Sequence, residues 1–254
     1  MLGWCPEADK ETSLATDRDN WLPHPLSAVS TPKPCRSLGL HVKVCCIQNE
    51  DEVRLAASAG ATHVGLVGAM PSGPGPIADE DIARIAASAP DEVTTVLLTS
   101  RRTAAGIVDH VLHTGVDAVQ VVQEVAPPVR HAIRQAIPGI QIFQVVHVEG
   151  PGSVAQARDA AKGSDYLLLD SGRPSMAELG GTGRSHDWSV SADIVSMSSI
   201  PVFLAGGLSP ENVAEAIRVV GPAGVDLCSG IRGEDGGLVP QRLTGFMGAV
   251  GRAV

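Results

Sequence analysis

Aromatic residues are scarce in this 254-residue sequence, where three tryptophans, three phenylalanines and one tyrosine make up only 3% of the chain. Because 44% of the residues are nevertheless hydrophobic, the core must consist mainly of Val, Ile, Leu and Ala. Aliphatic side chains of this kind suit a buried parallel sheet covered by helices. The composition therefore favours an α/β protein, and the length is in the range of one α/β barrel.

Signals for membranes and nucleic acid are also missing. No run approaches the ~20 apolar residues that span a bilayer, and residues 1–14 lack the charged, apolar and small segments of a secretory signal. The longest basic cluster is the pair Arg101 and Arg102 in a chain with a net charge of -9. We therefore expect a cytoplasmic protein with neither a membrane nor nucleic acid as a partner.

The cysteines show no CxxC spacing and are odd in number, so neither a disulfide framework nor a zinc site is indicated. They are Cys5, Cys35, Cys45, Cys46 and Cys228, and we expect free thiols. Adjacent residues of a strand point to opposite faces. The sequence thus predicts that Cys45 and Cys46 cannot both serve one site.

Residues 1–40 have no helix or strand period and are interpreted as a loosely ordered N-terminal extension, so the predicted domain is 41–254. In that domain short β-branched runs alternate with Ala-rich helical stretches. The predicted strands are 41–46, 63–67, 93–98, 118–122, 141–146, 166–169, 202–205 and 224–227, and the helices include 50–59, 79–89, 104–114, 126–136, 153–161 and 210–219. A doubly wound open sheet would share this alternation. The count of eight strands, without GxGxxG after the first, predicts a single (β/α)8 TIM barrel.

In such a barrel the active site lies where the strands end. Asp170 ends an apolar run and would be a general acid or base if burial raised its pKa, or else a helix cap. Cys45 ends the first strand and would be a base or nucleophile if its pKa were lowered, or else a small core residue.

Two further strand ends carry polar residues. His147 and Glu149 share one face at the end of the fifth strand and could bind substrate hydroxyls. They are too few for a metal site, so we expect no metal. Asp226 shares a face with Cys228 on the last strand and is predicted to point towards the barrel mouth.

Three glycine-containing turns follow the sixth, seventh and eighth strands. Turns of this kind expose backbone N–H groups, and the loops after the last two strands are the usual phosphate site of this fold. Any one of them alone could be an ordinary turn. Together they predict phosphate binding by Gly181, Gly183, Gly206, Gly207, Ser229 and Gly230.

Four segments carry a family resemblance: VKVC at 42–45, LLLDS at 167–171, GGTGRSHDW at 180–188 and AGGLSPENV at 205–213. With them the chain resembles the phosphoribosylanthranilate isomerase family, from about Val42 to the C-terminus. The resemblance implies a cofactor-free Amadori rearrangement of a phosphosugar in tryptophan biosynthesis. It also implies Cys45 as general base, Asp170 as general acid and Asp226 near the anthranilate. We expect a monomer or homodimer.

The chain departs from the family pattern at three strand ends. Gly75 stands where the family has the arginine that holds the anthranilate carboxylate, and Cys46 replaces a glycine. Residues 120–123 read QVVQ where the family has QLHG. Arg101, Arg102, Arg173 and Arg184 are candidates for a replacement carboxylate clamp. A related enzyme with another phosphosugar substrate and a noncatalytic phospho-ligand-binding protein remain the alternatives.

Overall fold

A computed structural model describes residues 39–172 and 186–254 of the chain. Eight parallel strands close a barrel in chain order, so the predicted fold is confirmed. The strands are β1 (His41–Val44), β2 (His63–Val67), β3 (Thr94–Thr99), β4 (Ala118–Val121), β5 (Gln141–His147), β6 (Tyr166–Asp170), β7 (Val202–Leu204) and β8 (Gly224–Leu227). The first 38 residues, which include most of the predicted extension, lie outside the described ranges.

Helices follow the strands around the barrel. They are α1 (Glu50–Ser58), α2 (Asp79–Ser88), α3 (Ala104–Thr114), α4 (Pro127–Ala136), α5 (Ser153–Ala160), α6 (Trp188–Met197), α7 (Val213–Val220) and α8 (Pro240–Gly251). α7 begins three residues later than predicted, because Ser209 to Asn212 form a turn in which the Asn212 side chain accepts from the Ser209 N–H at 2.8 Å. Within the described ranges, no helix is long and apolar enough to cross a bilayer.

The first strand is shorter than predicted. It ends at Val44 rather than at residue 46, because Cys46 has a φ of 62°, which lies in the left-handed region that non-glycine residues rarely adopt. The extended backbone therefore stops two residues early, at the barrel mouth.

Three of the described aromatic residues lie at the floor of the barrel. Phe143 and Tyr166 stack with ring centroids 4.4 Å apart, and Phe203 packs edge-on against both. His41 and His63 complete this layer. Between the barrel and the helices the buried side chains are mostly Val, Ile, Leu and Ala. The aliphatic prediction thus holds for the outer layer, while aromatic rings close the bottom of the barrel and leave its mouth open.

Candidate active site

A cavity opens at the carboxyl ends of the strands. Cys45 after β1, Asp170 at the end of β6 and Asp226 on β8 all face it. Its walls are apolar side chains of the barrel interior, among them Leu98, Val145 and Leu168. These three ionisable side chains therefore meet in one site, although they come from the loop after β1, from β6 and from β8.

Both Cys45 and Cys46 line this cavity, so the prediction that they cannot serve one site is wrong. That prediction assumed an extended strand through both residues. The left-handed backbone of Cys46 (φ 62°) breaks the alternation of side chains and turns the second thiol towards the same mouth. The two thiols are therefore neighbours in space as well as in sequence.

The thiol of Cys45 is the more acidic of the two. A hydrogen bond from the Cys46 side chain lowers the pKa of Cys45 to about 6, against the opposing effect of burial, and the positive charge of Lys43 acts in the same direction. Contact with Cys228 raises the pKa of Cys46 well above its ordinary value. Cys45 therefore carries the thiolate near neutral pH, which is the state that a general base requires.

A buried cation lies beneath Cys45. The Nζ atom of Lys43 is 2.9 Å from Oδ1 of Asp226, and the two side chains are only 0% and 8% exposed. Burial raises the pKa of Asp226 and the Lys43 charge opposes this rise. Burial acts to lower the pKa of Lys43, but the charges of Asp226 and Cys45 outweigh it and the net shift is upwards. Lys43 therefore stays protonated and balances the acidic groups around it.

Glycine at position 65 makes room for this cluster. A Cβ atom on Gly65 would lie 2.8 Å from Sγ of Cys45 and 3.1 Å from Nζ of Lys43. Real Cβ atoms essentially never approach other atoms as closely as the first of these distances. The missing side chain on β2 is thus a condition for the positions of both functional groups.

Asp170 is half-buried, lines the cavity and accepts a hydrogen bond from the backbone of the next residue. The Ser171 N–H donates to its Oδ1 at 2.7 Å. Burial raises the pKa of Asp170, and the neighbouring His147 has the largest opposing effect. A carboxyl group with a raised pKa keeps its proton to higher pH, as a general acid requires.

A second buried ion pair fixes the loop that carries Cys45. Arg232 donates to Glu52 at 2.9 Å and to the carbonyl oxygen of Cys45 at 3.0 Å. The other oxygen of Glu52 accepts from the Gln48 N–H at 3.0 Å. These contacts connect the loop after β1 with the loop after β8, so the backbone at the thiol is held from both sides.

The loops after β7 and β8 line the cavity with Gly206, Gly207 and Ser229. Gly206 and Gly207 have φ values of 86° and 64°, and a Cβ on Gly206 would lie 2.8 Å from Oγ of Ser171. Among the described residues, the N–H groups of Gly206, Gly207, Ser229 and Gly230 donate to no backbone carbonyl. They are thus available to an anion. Gly181 and Gly183, the other two predicted phosphate ligands, lie outside the described residues.

His147 is placed elsewhere. It pairs in register with Asp170, but it lines a second cavity beside β4 and β5 together with Glu149 and Arg102. Its Nε2 lies 3.0 Å from the Val122 carbonyl oxygen. The structure therefore does not bring His147 to the cavity of Cys45, and contact with a substrate there stays a prediction. No group of side chains that could hold a metal ion occurs in the described ranges.

Of the four candidate arginines, the structure describes Arg101 and Arg102. At position 75, φ is 85° and a Cβ would lie 2.8 Å from Cβ of Cys46, so no side chain fits where the family has its arginine. Arg101 bonds to Asp109 at 2.9 Å, and Arg102 lines the second cavity. Arg173 and Arg184 lie outside the described residues.

Three contributors to the site were missed in the sequence: Lys43, Gly65 and Arg232. A lysine between two valines in a predicted buried strand is a usable signal, because an unpaired charge is costly in a barrel interior. The sequence contains no comparable sign that Arg232 reaches Glu52 across 180 positions.

A thiol and a carboxyl group with oppositely shifted pKa values share one cavity at the barrel mouth with the glycine turns after the last two strands. These features define a class of protein: (β/α)8 barrels with a candidate acid–base pair beside a candidate anion site. Comparison with known proteins narrows this class. Residues 42–242 match the family model for N-(5'phosphoribosyl)anthranilate (PRA) isomerase. The chain belongs to the phosphoribosylanthranilate isomerase family.

Individual relatives agree with this membership. The chain is 37% identical over 198 residues to N-(5'-phosphoribosyl)anthranilate isomerase 2 of Methanosarcina mazei, which covers 78% of this chain and 88% of the relative. The crystal structure of phosphoribosyl anthranilate isomerase from Thermotoga maritima is similar, with 27% identity, a TM-score of 0.74 and coverage of 84% and 99%. A second similar structure is a phosphoribosyl anthranilate isomerase in complex with reduced 1-(o-carboxyphenylamino)-1-deoxyribulose 5-phosphate, at 26% identity, a TM-score of 0.71 and coverage of 84% and 99%.

Proposed function

We propose that this protein isomerises N-(5'-phosphoribosyl)anthranilate by an Amadori rearrangement, a step of tryptophan biosynthesis. The observation that carries the proposal is the presence of Cys45 and Asp170 in one cavity with oppositely shifted pKa values. Proton removal and proton delivery need separate groups of different acidity. The family membership supports the choice of substrate.

The reaction divides into two proton transfers. Asp170 donates its proton to the ring oxygen of the ribose, which opens the ring and leaves an iminium ion at C1′. The Cys45 thiolate then removes the proton at C2′, and the resulting enolamine tautomerises to the aminoketose. The rearrangement has no net change in electrons or protons, so it needs no redox cofactor.

The phosphate group has a place in this scheme. We assign it to the N–H groups of Gly206, Gly207, Ser229 and Gly230, with Gly181 and Gly183 as the further ligands implied by the family resemblance. Backbone N–H groups on fixed glycine turns bind anions without long side chains that must be ordered. Asp226 is assigned as a substrate-binding residue, because it lines the cavity and is held there by Lys43. We also expect a cytoplasmic location and a monomer or homodimer.

Purified protein incubated with freshly prepared phosphoribosylanthranilate tests the proposal. We expect the fluorescence of this substrate to disappear with turnover, and to persist with the Cys45→Ser and Asp170→Asn variants. Persistent fluorescence with the unaltered protein at high concentration would contradict this substrate. It would favour the alternative motivated by Gly75, a barrel of the same family whose phosphosugar lacks the carboxylate.

A further inference from the structure

Two thiols meet at the mouth of the cavity. Sγ of Cys228 lies 2.7 Å from Sγ of Cys46, and the two residues are 182 positions apart in the chain. They follow β8 and β1, which are neighbours in the closed barrel. Both are free cysteines, and both line the cavity that contains Cys45. Neither of them is the general base or the general acid of the proposed reaction.

The distance between these sulfur atoms is unusually short for thiols. A disulfide bond measures about 2.05 Å, so the atoms must approach by only roughly 0.7 Å more to be joined. Cys228 is partly exposed and Cys46 opens onto the same cavity, so a small oxidant that enters the mouth reaches the pair. We propose that Cys46 and Cys228 are a redox modification site. A low-molecular-weight disulfide oxidises the two thiols to a reversible cross-link, which lowers the activity of the site.

The chemistry balances as two thiol–disulfide exchanges. The thiolate of Cys228 attacks one sulfur of the small disulfide, forms a mixed disulfide and releases one small thiolate. Cys46, after losing its proton to solvent, attacks the Cys228 sulfur of the mixed disulfide and releases the second. The two protein thiols lose two electrons and two protons, and the small disulfide gains them as two thiols.

The same geometry favours Cys46 over Cys45 as the partner of Cys228. Sγ of Cys45 packs against Gly65 on β2 and near the ammonium of Lys43. Sγ of Cys46 instead lies between Sγ of Cys228 and the carbonyl oxygen of Pro74, which is 3.7 Å away. Cys46 thus faces β8 and the loop after β2, whereas Cys45 is turned towards β2 itself.

Oxidation would change Cys45 without touching it. The Cys46 side chain is the main cause of the lowered pKa of Cys45, and a disulfide sulfur has no proton to donate. The cross-link also removes the contact of Cys46 with Pro74. We therefore expect Cys45 to lose its thiolate near neutral pH and turnover to fall. This consequence rests on the proposed function, whereas formation of the disulfide does not.

The test uses the full chain with Cys5→Ser and Cys35→Ser, so that only the three described thiols report. The protein is incubated with oxidised glutathione and then with dithiothreitol. Intact mass and peptide mapping identify the bond, ultraviolet thiolate absorbance against pH follows Cys45, and turnover is expressed as the ratio of oxidised to reduced activity. Cys228→Ser in the same background is the matched control.

We expect a mass loss of two hydrogen atoms and a cross-linked peptide that contains Cys46 and Cys228. The pKa of Cys45 should rise by at least about one unit, which is a tenfold loss of thiolate at pH values below that pKa. The activity ratio should fall by a similar factor and recover on reduction, and it should stay near one in Cys228→Ser. Failure of the bond to form, a bond to Cys45, or an unmoved Cys45 titration would overturn the proposal. If the reduced protein does not turn over phosphoribosylanthranilate, the proposed function fails, while mass and titration still decide the redox site.

Discussion

Lys43 and Asp226 join the first and last strands of the barrel from inside. Their charged atoms lie 2.9 Å apart, and the two residues are direct register partners of β1 and β8. The pair lies beneath the thiol of Cys45, whose negative charge contributes to the raised pKa of Lys43. One contact therefore serves both the closure of the barrel and the electrostatics of the site.

Replacing Lys43 by Met should lower the free energy of unfolding by about 3–5 kcal/mol, because Asp226 remains buried without its partner. Urea denaturation measures this change. Lys162→Met is the control, since Lys162 pairs with Asp159 at 3.1 Å with 65% of its side chain exposed, and such pairs contribute under about 1 kcal/mol. Similar losses in both variants would contradict the assignment. Lys43→Met combined with Asp226→Leu should be less destabilised than Lys43→Met alone.

An alanine at position 65 should impair catalysis, because its Cβ would displace Sγ of Cys45 or Nζ of Lys43. Overpacking of this kind also costs roughly 1–3 kcal/mol of stability. Gly248→Ala on α8 is a matched control, since its Cβ would meet only the Arg252 side chain, at 3.6 Å. We expect Gly65→Ala to lose turnover and to unfold at a lower temperature, while Gly248→Ala keeps both close to those of the unaltered protein. Full activity in Gly65→Ala would contradict the tight packing.

The activity should depend on pH through Cys45. The active form is the thiolate, so kcat/KM should rise as pH increases through the pKa of about 6 and fall about tenfold per unit below it. The rate of alkylation of Cys45 by iodoacetamide should follow the same curve. Cys45→Ser should reduce kcat by at least about 100-fold. A profile that is flat between pH 5 and 7 would exclude Cys45 as the base.

Asp170→Asn should remove the general acid while leaving the local structure in place. The amide oxygen of Asn can still accept from the Ser171 N–H, as Oδ1 of Asp170 does, but the amide has no acidic proton to deliver. We expect kcat to fall at least about 100-fold with the melting temperature nearly unchanged. A loss of only a few-fold would mean that another group, or water, protonates the ring oxygen.

The carboxylate of the substrate should depend on Arg173 or Arg184, the two candidates that lie outside the described residues. A charge-assisted bond of about 1.5–3 kcal/mol predicts that Ala at the correct position raises KM roughly 10- to 100-fold. Arg102→Ala is the control, because Arg102 lines the second cavity and should leave KM unchanged. If neither Arg173→Ala nor Arg184→Ala raises KM, the carboxylate is held without either arginine.

The barrel could be predicted because its signals are local. Alternation of short apolar runs with Ala-rich stretches placed all eight strands within two residues of their observed ends. Glycine after a helix is a local signal of the same kind, and Gly60, Gly115 and Gly163 all have the positive φ that such positions favour. The interpretation of Cys45 and Cys46 failed for an equally local reason, since the left-handed φ of Cys46 contradicts the strand pattern in which it was placed.

The sequence by itself determined the order of strands and helices and the strand ends at which Cys45 and Asp170 would lie, because hydrophobic periodicity and glycine turns act over a few neighbouring residues. Only the tertiary structure decided which of these groups meet. It paired Lys43 with Asp226 and brought Cys46 to Cys228, while it directed His147 and Arg102 into a second cavity. Contacts between residues so far apart in the chain depend on the closure of the barrel and the shape of its interior, which no local pattern specifies.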